Sequence, residues 1–254
     1  MTKTTALLDT YLKQLRLPTF VQNYHKLADD AARANLTYDR FLLALAEQEI
    51  AQRDANQQRR RIKAARFPVL KELADFDFSA VPNLNKAQVL ELARGAYVPK
   101  AEPIILLGQP GLGKTHVATG LGLAACQQGY KVRFFNAAGL VNELLLLQEK
   151  NQLPRFLAQA LKLQLIVIDE LGFIPFSQLG AQLMFQFCSS VYERVALIVT
   201  TNLQFGEWNQ IFGNERLTGA LLDRLTDRAK ILEFTGESYR LRKTLKQKAH
   251  AEAA

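Results

Sequence analysis

Residues 108–115 read GQPGLGKT, which matches the pattern G-x-x-x-x-G-K-[ST] in full. The outer glycines of such a loop let consecutive backbone N–H groups point inward at the phosphates of a nucleotide. Lys114 is expected to reach the β- and γ-phosphates, and the Thr115 hydroxyl is expected to bind Mg²⁺. The loop residues predicted to contact the nucleotide are Gly108, Gln109, Pro110, Gly111, Leu112, Gly113, Lys114, Thr115 and His116.

The residues on either side fit this prediction better than they fit an isolated Gly-rich turn. Residues 104–107 (IILL) form a short apolar run typical of a buried strand, and residues 116–126 have a helix-forming composition. A helix that starts at Lys114 would direct its N–H groups and the positive end of its dipole at the phosphates. Gly129 is expected to end that helix.

Five apolar runs alternate with helical segments in the part of the chain after Pro103, which we expect to form one domain over 100–254. This alternation predicts an α/β fold with a central parallel sheet covered by helices. The predicted strands are 104–107, 132–135, 165–169, 196–200 and 231–234.

The first third of the chain is predicted to be helical. Apolar residues recur at helical spacing over 1–68, Pro18 is well placed to open a second helix, and Thr37 to cap a third that continues towards Arg66. We expect residues 69–99 to form a linker with one short helix near residues 86–94. The sequence thus predicts a small all-helical N-terminal domain that binds DNA or a partner.

Positive charge is concentrated in two places. The formal net charge is +8, and the stretch from Arg53 to Arg66 holds six basic residues and one acidic residue. A second basic run consists of Arg240, Arg242, Lys243, Lys246 and Lys248. Clustered cations favour a polyanion such as DNA, although a solvated helix face has the same composition. The candidate DNA contacts are Arg59, Arg60, Arg61, Lys63 and Arg66.

Neither a disulfide framework nor a membrane segment is expected. The two cysteines lie in apolar helical contexts, and no apolar run approaches the length of a membrane span. The N-terminal stretch has no signal-peptide character. We therefore expect a cytoplasmic protein.

Two acids follow the third predicted strand in LIVIDE, residues 165–170. Asp169 is expected to hold Mg²⁺ together with Thr115, and Glu170 to polarise the attacking water. Acids at a strand end also serve as helix caps. One predicted strand separates this motif from the loop, which favours ATPases with an extra central strand over simple kinases and GTPases.

Polar and basic residues further along complete the candidate site. Asn202, in VTTN after the fourth strand, is the candidate sensor of the γ-phosphate, with Thr201 as second choice and an ordinary turn as the alternative. Arg224 and Arg228 lie four residues apart in LLDRLTDR, where either could reach a neighbouring subunit's nucleotide or pair with Asp223 and Asp227. Arg240 could touch the phosphates of its own subunit or contact DNA.

Together, GQPGLGKT, LIVIDE, VTTN, LLDRL and GESYR resemble the AAA+ ATPases, specifically the IstB/DnaC-like branch. RRRIKAARFP (residues 59–68) and ADFDF (residues 74–78) resemble the IstB helpers of two-gene insertion sequences. The resemblance implies an ATP- and Mg²⁺-dependent homo-oligomer that assembles on duplex DNA, deforms it and stimulates a partner transposase (IstA-like). It also implies that Arg224 is the trans arginine and Arg240 a second sensor.

Two other functions remain open at this point. A DnaC-like helicase loader would act on single-stranded DNA and a replicative helicase. A DNA adaptor that binds a nucleotide without turnover is less consistent with the intact Lys114, Asp169 and Glu170. About 20 residues follow the last predicted strand, so we expect no large C-terminal lid of the kind many AAA+ proteins have.

Overall fold

The computed structural model describes residues 3–236 and 238, so the predicted second sensor Arg240 lies outside the described residues. The chain divides into two compact units, Met1–Arg60 and Arg61–Ala254. No helix within the described residues is long and apolar enough to cross a membrane.

The first unit is helical, as predicted. It contains α1 (Lys3–Gln14), α2 (Pro18–Arg33) and most of α3 (Tyr38–Ala65). The buried carboxylate of Glu49, on α3, accepts hydrogen bonds from the backbone N–H of Thr19 (2.9 Å) and from Nε of Arg53 (2.7 Å). A carboxylate thus binds an N–H group at the start of α2, where the helix itself supplies no acceptor.

The second unit begins with the end of α3 and continues through two 3₁₀ turns, Leu73–Asp75 and Phe78–Ala80, to α4 (Lys86–Ala93). Strands and helices then alternate, with one further 3₁₀ turn at Phe205–Glu207. They are, in order, β1 (Ile104–Gly108), α5 (Lys114–Gln127), β2 (Val132–Asn136), α6 (Ala137–Glu149), α7 (Leu153–Ala160), β3 (Leu165–Leu171), α8 (Gln178–Val191), β4 (Ala196–Thr201), α9 (Asn209–Phe212), α10 (Glu215–Thr226) and β5 (Lys230–Phe234).

All five strands are parallel and lie in the order β2-β3-β4-β1-β5. The predicted α/β fold is therefore confirmed. β4 lies between β1, which leads into the phosphate-binding loop, and β3, which carries the two acids, so the extra central strand is present. Parallel strands place their carboxyl ends at one edge of the sheet, where loops from several strands can share a site.

Each face of the sheet is covered by its own apolar cluster. Leu165 and Val167 of β3 share a buried cluster with Val117 and Leu121 of α5. Residues 166 and 168 point to the other face, where they join a cluster that includes Phe187 of α8. Burial on both faces explains why the strands are nearly continuous apolar runs without polar alternation.

Candidate active site

The phosphate-binding loop joins β1 to α5 in a conformation that requires glycine at both ends. Gly113 caps α5 in the left-handed region, with φ of 89°. At Gly108 a Cβ atom would overlap the backbone oxygen of Phe234, because β5 passes directly beside the loop. The loop therefore presents the first N–H groups of α5 to the carboxyl edge of the sheet.

A cavity of about 420 Å³ opens at this edge. Loop residues from Pro110 to His116 line it, whereas Gly108 and Gln109 contribute backbone oxygens that bind Lys114. Leu112 is 2% exposed and its side chain belongs to the apolar core, so only its backbone can contact a nucleotide.

Lys114 is held against its own loop. Its Nζ donates hydrogen bonds to the backbone oxygens of Gly108 (2.5 Å) and Gln109 (2.8 Å). A lysine that binds β- and γ-phosphates would exchange these neutral acceptors for charged ones, which form stronger hydrogen bonds.

Thr115 and Asp169 meet directly although they lie far apart in the sequence. The Thr115 hydroxyl lies 3.0 Å from each carboxylate oxygen of Asp169. Burial raises the pKa of Asp169, and hydrogen bonds from the hydroxyls of Thr200 and Thr115 oppose that rise. The side chains predicted to bind Mg²⁺ are thus placed together at the start of α5.

This donor set suits Mg²⁺. A hydroxyl and one carboxylate are hard oxygen ligands, and Mg²⁺ commonly takes only one or two protein ligands besides phosphate and water oxygens. Within residues 3–236 and 238, no cluster of three or more His, Cys, Asp or Glu side chains could form a separate metal cage.

Glu170 occupies an extra residue in β3. Ile168 pairs with Val199 of β4 and Leu171 pairs with Thr201, so two residues of β3 lie opposite one residue of β4. Such a bulge bends the strand and redirects its side chains. Glu170 has a left-handed backbone, with φ of 61°, and its exposed side chain lines the cavity, whereas Asp169 is buried.

Two residues that contact the acids were not predicted from the sequence. Nδ2 of Asn136, at the end of β2, donates a hydrogen bond to Oε2 of Glu170 (2.8 Å), and its Oδ1 caps α6 by accepting from the Gly139 N–H. The Thr200 hydroxyl contacts both Asp169 and the backbone N–H of Glu170. Their place near the carboxyl ends of β2 and β4 could have indicated that Asn136 and Thr200 belong to the site. Only the order of the strands in the sheet shows which acid each of them contacts.

The candidate sensors after β4 differ in their surroundings. Asn202 is partly exposed and lines the cavity. Thr201 is buried, and its hydroxyl forms a local turn by accepting a hydrogen bond from the Leu203 N–H (3.2 Å). Both residues line the cavity, but the Thr201 hydroxyl is already engaged in this turn, so the geometry favours Asn202 as the sensor.

The opposite wall of the cavity comes from residues 71–81, which the sequence predicts to be part of a linker. Phe76 packs against the loop so closely that a Cβ atom at Gly113 would lie 2.6 Å from its ring. Nε2 of His116 lies 2.7 Å from the backbone oxygen of Glu72, and the rings of His116 and Phe76 meet edge to face. The segment therefore contacts both the loop and the first turn of α5.

Neither candidate trans arginine lines the cavity. Arg224 donates a hydrogen bond to the backbone oxygen of Ala220 (2.7 Å) and stacks its guanidinium over the ring of Phe185. Arg228 is exposed and lies 3.9 Å from Asp227, and among the described residues Arg224 forms no ion pair with Asp223 or Asp227. Among the residues that the structure describes, no arginine lines the cavity.

The basic end of α3, which we define as Arg59, Arg60, Arg61, Lys63 and the following Arg66, is mostly exposed. Arg61 is the exception, because it is partly buried and its Nε donates to the backbone oxygen of Cys126 (3.0 Å) near the end of α5. In the second unit, burial and then the nearby charge of Arg66 lower the pKa of Arg133 on β2. Arg133 is therefore a further cation beside this region that the sequence did not indicate.

A parallel sheet with an extra strand between β1 and β3, a phosphate-binding loop and a paired Asp and Glu together define an ATPase of the AAA+ class. The family comparison specifies the branch. Residues 10–248 match the model of the IstB-like ATP binding protein family, and the chain belongs to that family.

The chain aligns with related proteins of insertion sequences over nearly their whole length. The chain is 36% identical to the insertion sequence IS5376 ATP-binding protein of Geobacillus stearothermophilus, covering 91% of this chain and 92% of that protein. It is also 36% identical to the insertion sequence IS21 ATP-binding protein of Pseudomonas aeruginosa, covering 94% and 90%. The crystal structure of the DnaC helicase loader shares the fold with a TM-score of 0.51 at 19% identity, covering 59% of this chain and 87% of that one.

Proposed function

We propose that this protein is an ATP-dependent, DNA-binding helper of the transposase of an insertion sequence. The observation that carries the proposal is the grouping of Thr115, Asp169 and Glu170 at the cavity beside the phosphate-binding loop, in a chain that matches insertion-sequence ATP-binding proteins over 90% or more of their length. ATP would act as the switch for assembly on duplex DNA, and the assembled protein would deform the DNA and stimulate the transposase.

In this proposal, the loop N–H groups and Lys114 bind the phosphates of ATP. Thr115 and Asp169 would hold Mg²⁺, which neutralises charge on the β- and γ-phosphates when it is bound. Glu170 orients and deprotonates the attacking water, since its carboxylate faces the cavity. Asn202 positions the same water or a γ-phosphate oxygen. Arg240 stays a sequence-based candidate for a second sensor.

We further propose that a second copy of the chain completes the site through Arg224. Among the described residues, the lysines that line the cavity are Lys71 and Lys114, and no arginine lines it, which supports an arginine supplied by a second copy. An arginine supplied in trans contributes about 10³- to 10⁵-fold to turnover in other phosphoryl-transfer enzymes. ATP hydrolysis would therefore require self-association.

Mixing two inactive variants tests this arrangement. Lys114→Ala removes the phosphate contact but keeps Arg224, and Arg224→Ala does the reverse, so a mixture should recover ATPase activity that neither variant has alone. Arg216→Ala, an exposed arginine on the same helix, is the matched control and should retain full activity. If Arg228→Ala is inactive alone and recovers activity with Lys114→Ala, while Arg224→Ala is active alone, the role belongs to Arg228.

The DNA role is tested by binding and turnover. We expect the protein to bind duplex DNA in the presence of a non-hydrolysable ATP analogue, and duplex DNA to raise the rate of phosphate release. We also expect a transposase gene beside this reading frame, and its product should be retained on that complex. A preference for single-stranded DNA, with no retention of the transposase, would favour the helicase loader instead.

A further inference from the structure

Thr200, on β4, is buried and lies directly opposite the bulge in β3. It is only 1% exposed, yet its side chain is polar and borders the cavity that Glu170 lines. The sequence predicts a sensor role for its neighbours Asn202 and Thr201, and the proposed function gives Thr200 no role.

One oxygen of Thr200 binds both acids. Oγ1 donates a hydrogen bond to Oδ1 of Asp169 (2.5 Å) and accepts one from the backbone N–H of Glu170 (2.9 Å). A hydroxyl has one proton and two lone pairs, so it can make both bonds at once. A side-chain oxygen of β4 thus binds the backbone N–H group of Glu170. In a regular parallel pair of strands, a backbone carbonyl of the neighbouring strand would accept this hydrogen bond.

These bonds fix the directions of two neighbouring side chains. The first keeps the Asp169 carboxylate turned inward, towards Thr115. The second holds the backbone of Glu170 in its left-handed conformation, with φ of 61°, from which the side chain reaches the cavity. A non-glycine residue keeps such a backbone only when its surroundings enforce it.

We propose that Thr200 is a positioning residue for ATP hydrolysis. Its two hydrogen bonds stabilise the bulge and thereby orient Asp169 towards Thr115 and Glu170 towards the cavity. The inference rests on the proposed roles of those acids. Thr200 acts through them and does not contact the phosphates, so its loss should slow the chemical step and leave nucleotide binding by the loop nearly unchanged.

Thr200→Val is the direct test, because valine has nearly the same shape and lacks the hydroxyl. We expect kcat to fall about 10- to 100-fold, as for the loss of a positioning contact at a buried site, with KM for ATP changed less than about threefold. Thr200→Ser keeps the hydroxyl and should retain at least about one third of kcat. The affinity for a fluorescent ATP analogue, measured with EDTA present, should be unchanged in both variants.

Thr119→Val is the matched control. Thr119 lies on α5, is also 1% exposed, and its hydroxyl has no hydrogen-bond partner among the described residues, so the same chemical change removes no hydrogen bond that the structure shows. This variant should have the kcat of the wild type. The melting temperatures of all variants show whether a lower kcat comes from a less stable fold or from displaced side chains of Asp169 and Glu170.

Each outcome decides the inference. Wild-type kcat in Thr200→Val, or a KM increase that accounts for the whole loss, would overturn it while leaving the proposed function intact. Full turnover in Glu170→Gln would overturn the role of Glu170 and this inference together. If Thr200→Val does not fold, Thr200→Ser decides alone, because a kcat as low as that of Glu170→Gln would contradict a role for the hydroxyl.

Discussion

The carboxyl edge of the sheet and the basic end of α3 both carry charged side chains, but they hold them differently. At the sheet edge, Asp169 is 4% exposed and two hydroxyls bind it, while the Asn136 amide binds Glu170. At the basic end, four of the five cations are exposed. Catalysis depends on the precise position of each side chain at the sheet edge, so single substitutions there should have large effects on turnover. Binding of a polyanion by exposed cations depends on their total charge, so a single substitution there should have a small effect.

The largest effect is expected for Glu170→Gln. The amide has the size of the carboxylate but cannot accept a proton from water, so kcat should fall about 10²- to 10⁴-fold. ATP binding, followed by calorimetry, should stay within about threefold of the wild type, because the loop and Lys114 are unchanged. An equal loss of ATP affinity would show that Glu170 serves binding and not the chemical step.

The second effect concerns the basic end and should depend on salt. Replacing Arg59, Arg60 and Lys63 by Ala should weaken duplex DNA binding and reduce the slope of log K against log salt concentration by about 0.9 for each lost phosphate contact. Fluorescence anisotropy over a salt series measures this slope. ATPase activity without DNA should stay at the wild-type level.

Lys150, Arg155 and Lys162 provide the control for this experiment. They are exposed, and their replacement by Ala removes the same amount of positive charge from another part of the chain. An equal loss of slope in both triple variants would mean that net charge, and no particular surface, accounts for DNA binding.

A smaller effect is expected at Asn136, the amide that binds Glu170. Asn136→Ser keeps an oxygen that can cap α6, but its side chain is shorter and its hydroxyl ends further from Glu170 than the amide nitrogen does. A hydrogen bond contributes about 0.5–1.5 kcal/mol net, so its loss should free the carboxylate for water and raise basal kcat about two- to tenfold. Asn136→Ala loses the cap as well and should be less stable, by about 1 kcal/mol. A lower kcat in Asn136→Ser would show that the amide assists Glu170.

The most modest effect concerns stability and pH. Burial raises the pKa of Asp169, so ionising it in the folded, nucleotide-free chain costs more than in the unfolded chain. This cost is absent at a pH below the pKa that Asp169 has in the unfolded chain, because Asp169 is then protonated in both states. It is fully present at a pH above the pKa that Asp169 has in the folded chain. Asp169→Asn, which does not titrate, should therefore have the higher melting temperature in EDTA at neutral pH, and the gain should vanish in acid. A lower melting temperature at neutral pH would refute this reading.

The features that could be predicted from the sequence are those that depend on residues close together in the chain. The loop, the strands and the acids in LIVIDE follow from local composition and spacing, and the extra central strand follows from their order along the chain. The sequence did not reveal Asn136 or Thr200, because their partners depend on which strands are neighbours and on a bulge that no composition marks. The wall at residues 71–81 was missed because its packing against Gly113 depends on the folded chain.

The bulge in β3 also changes which face of the sheet receives each side chain. Side chains alternate along a strand, and Ile166 and Ile168 point to the face covered by α8. By that count Leu171 belongs to the opposite face, yet it joins the same cluster as Ile166 and Ile168. The added residue thus reverses the alternation, so the core is filled on both sides of the acids. Deleting one residue there would turn Leu171, the last residue of β3, to the opposite face, so the length of this strand places both the acids and the core residue that follows them.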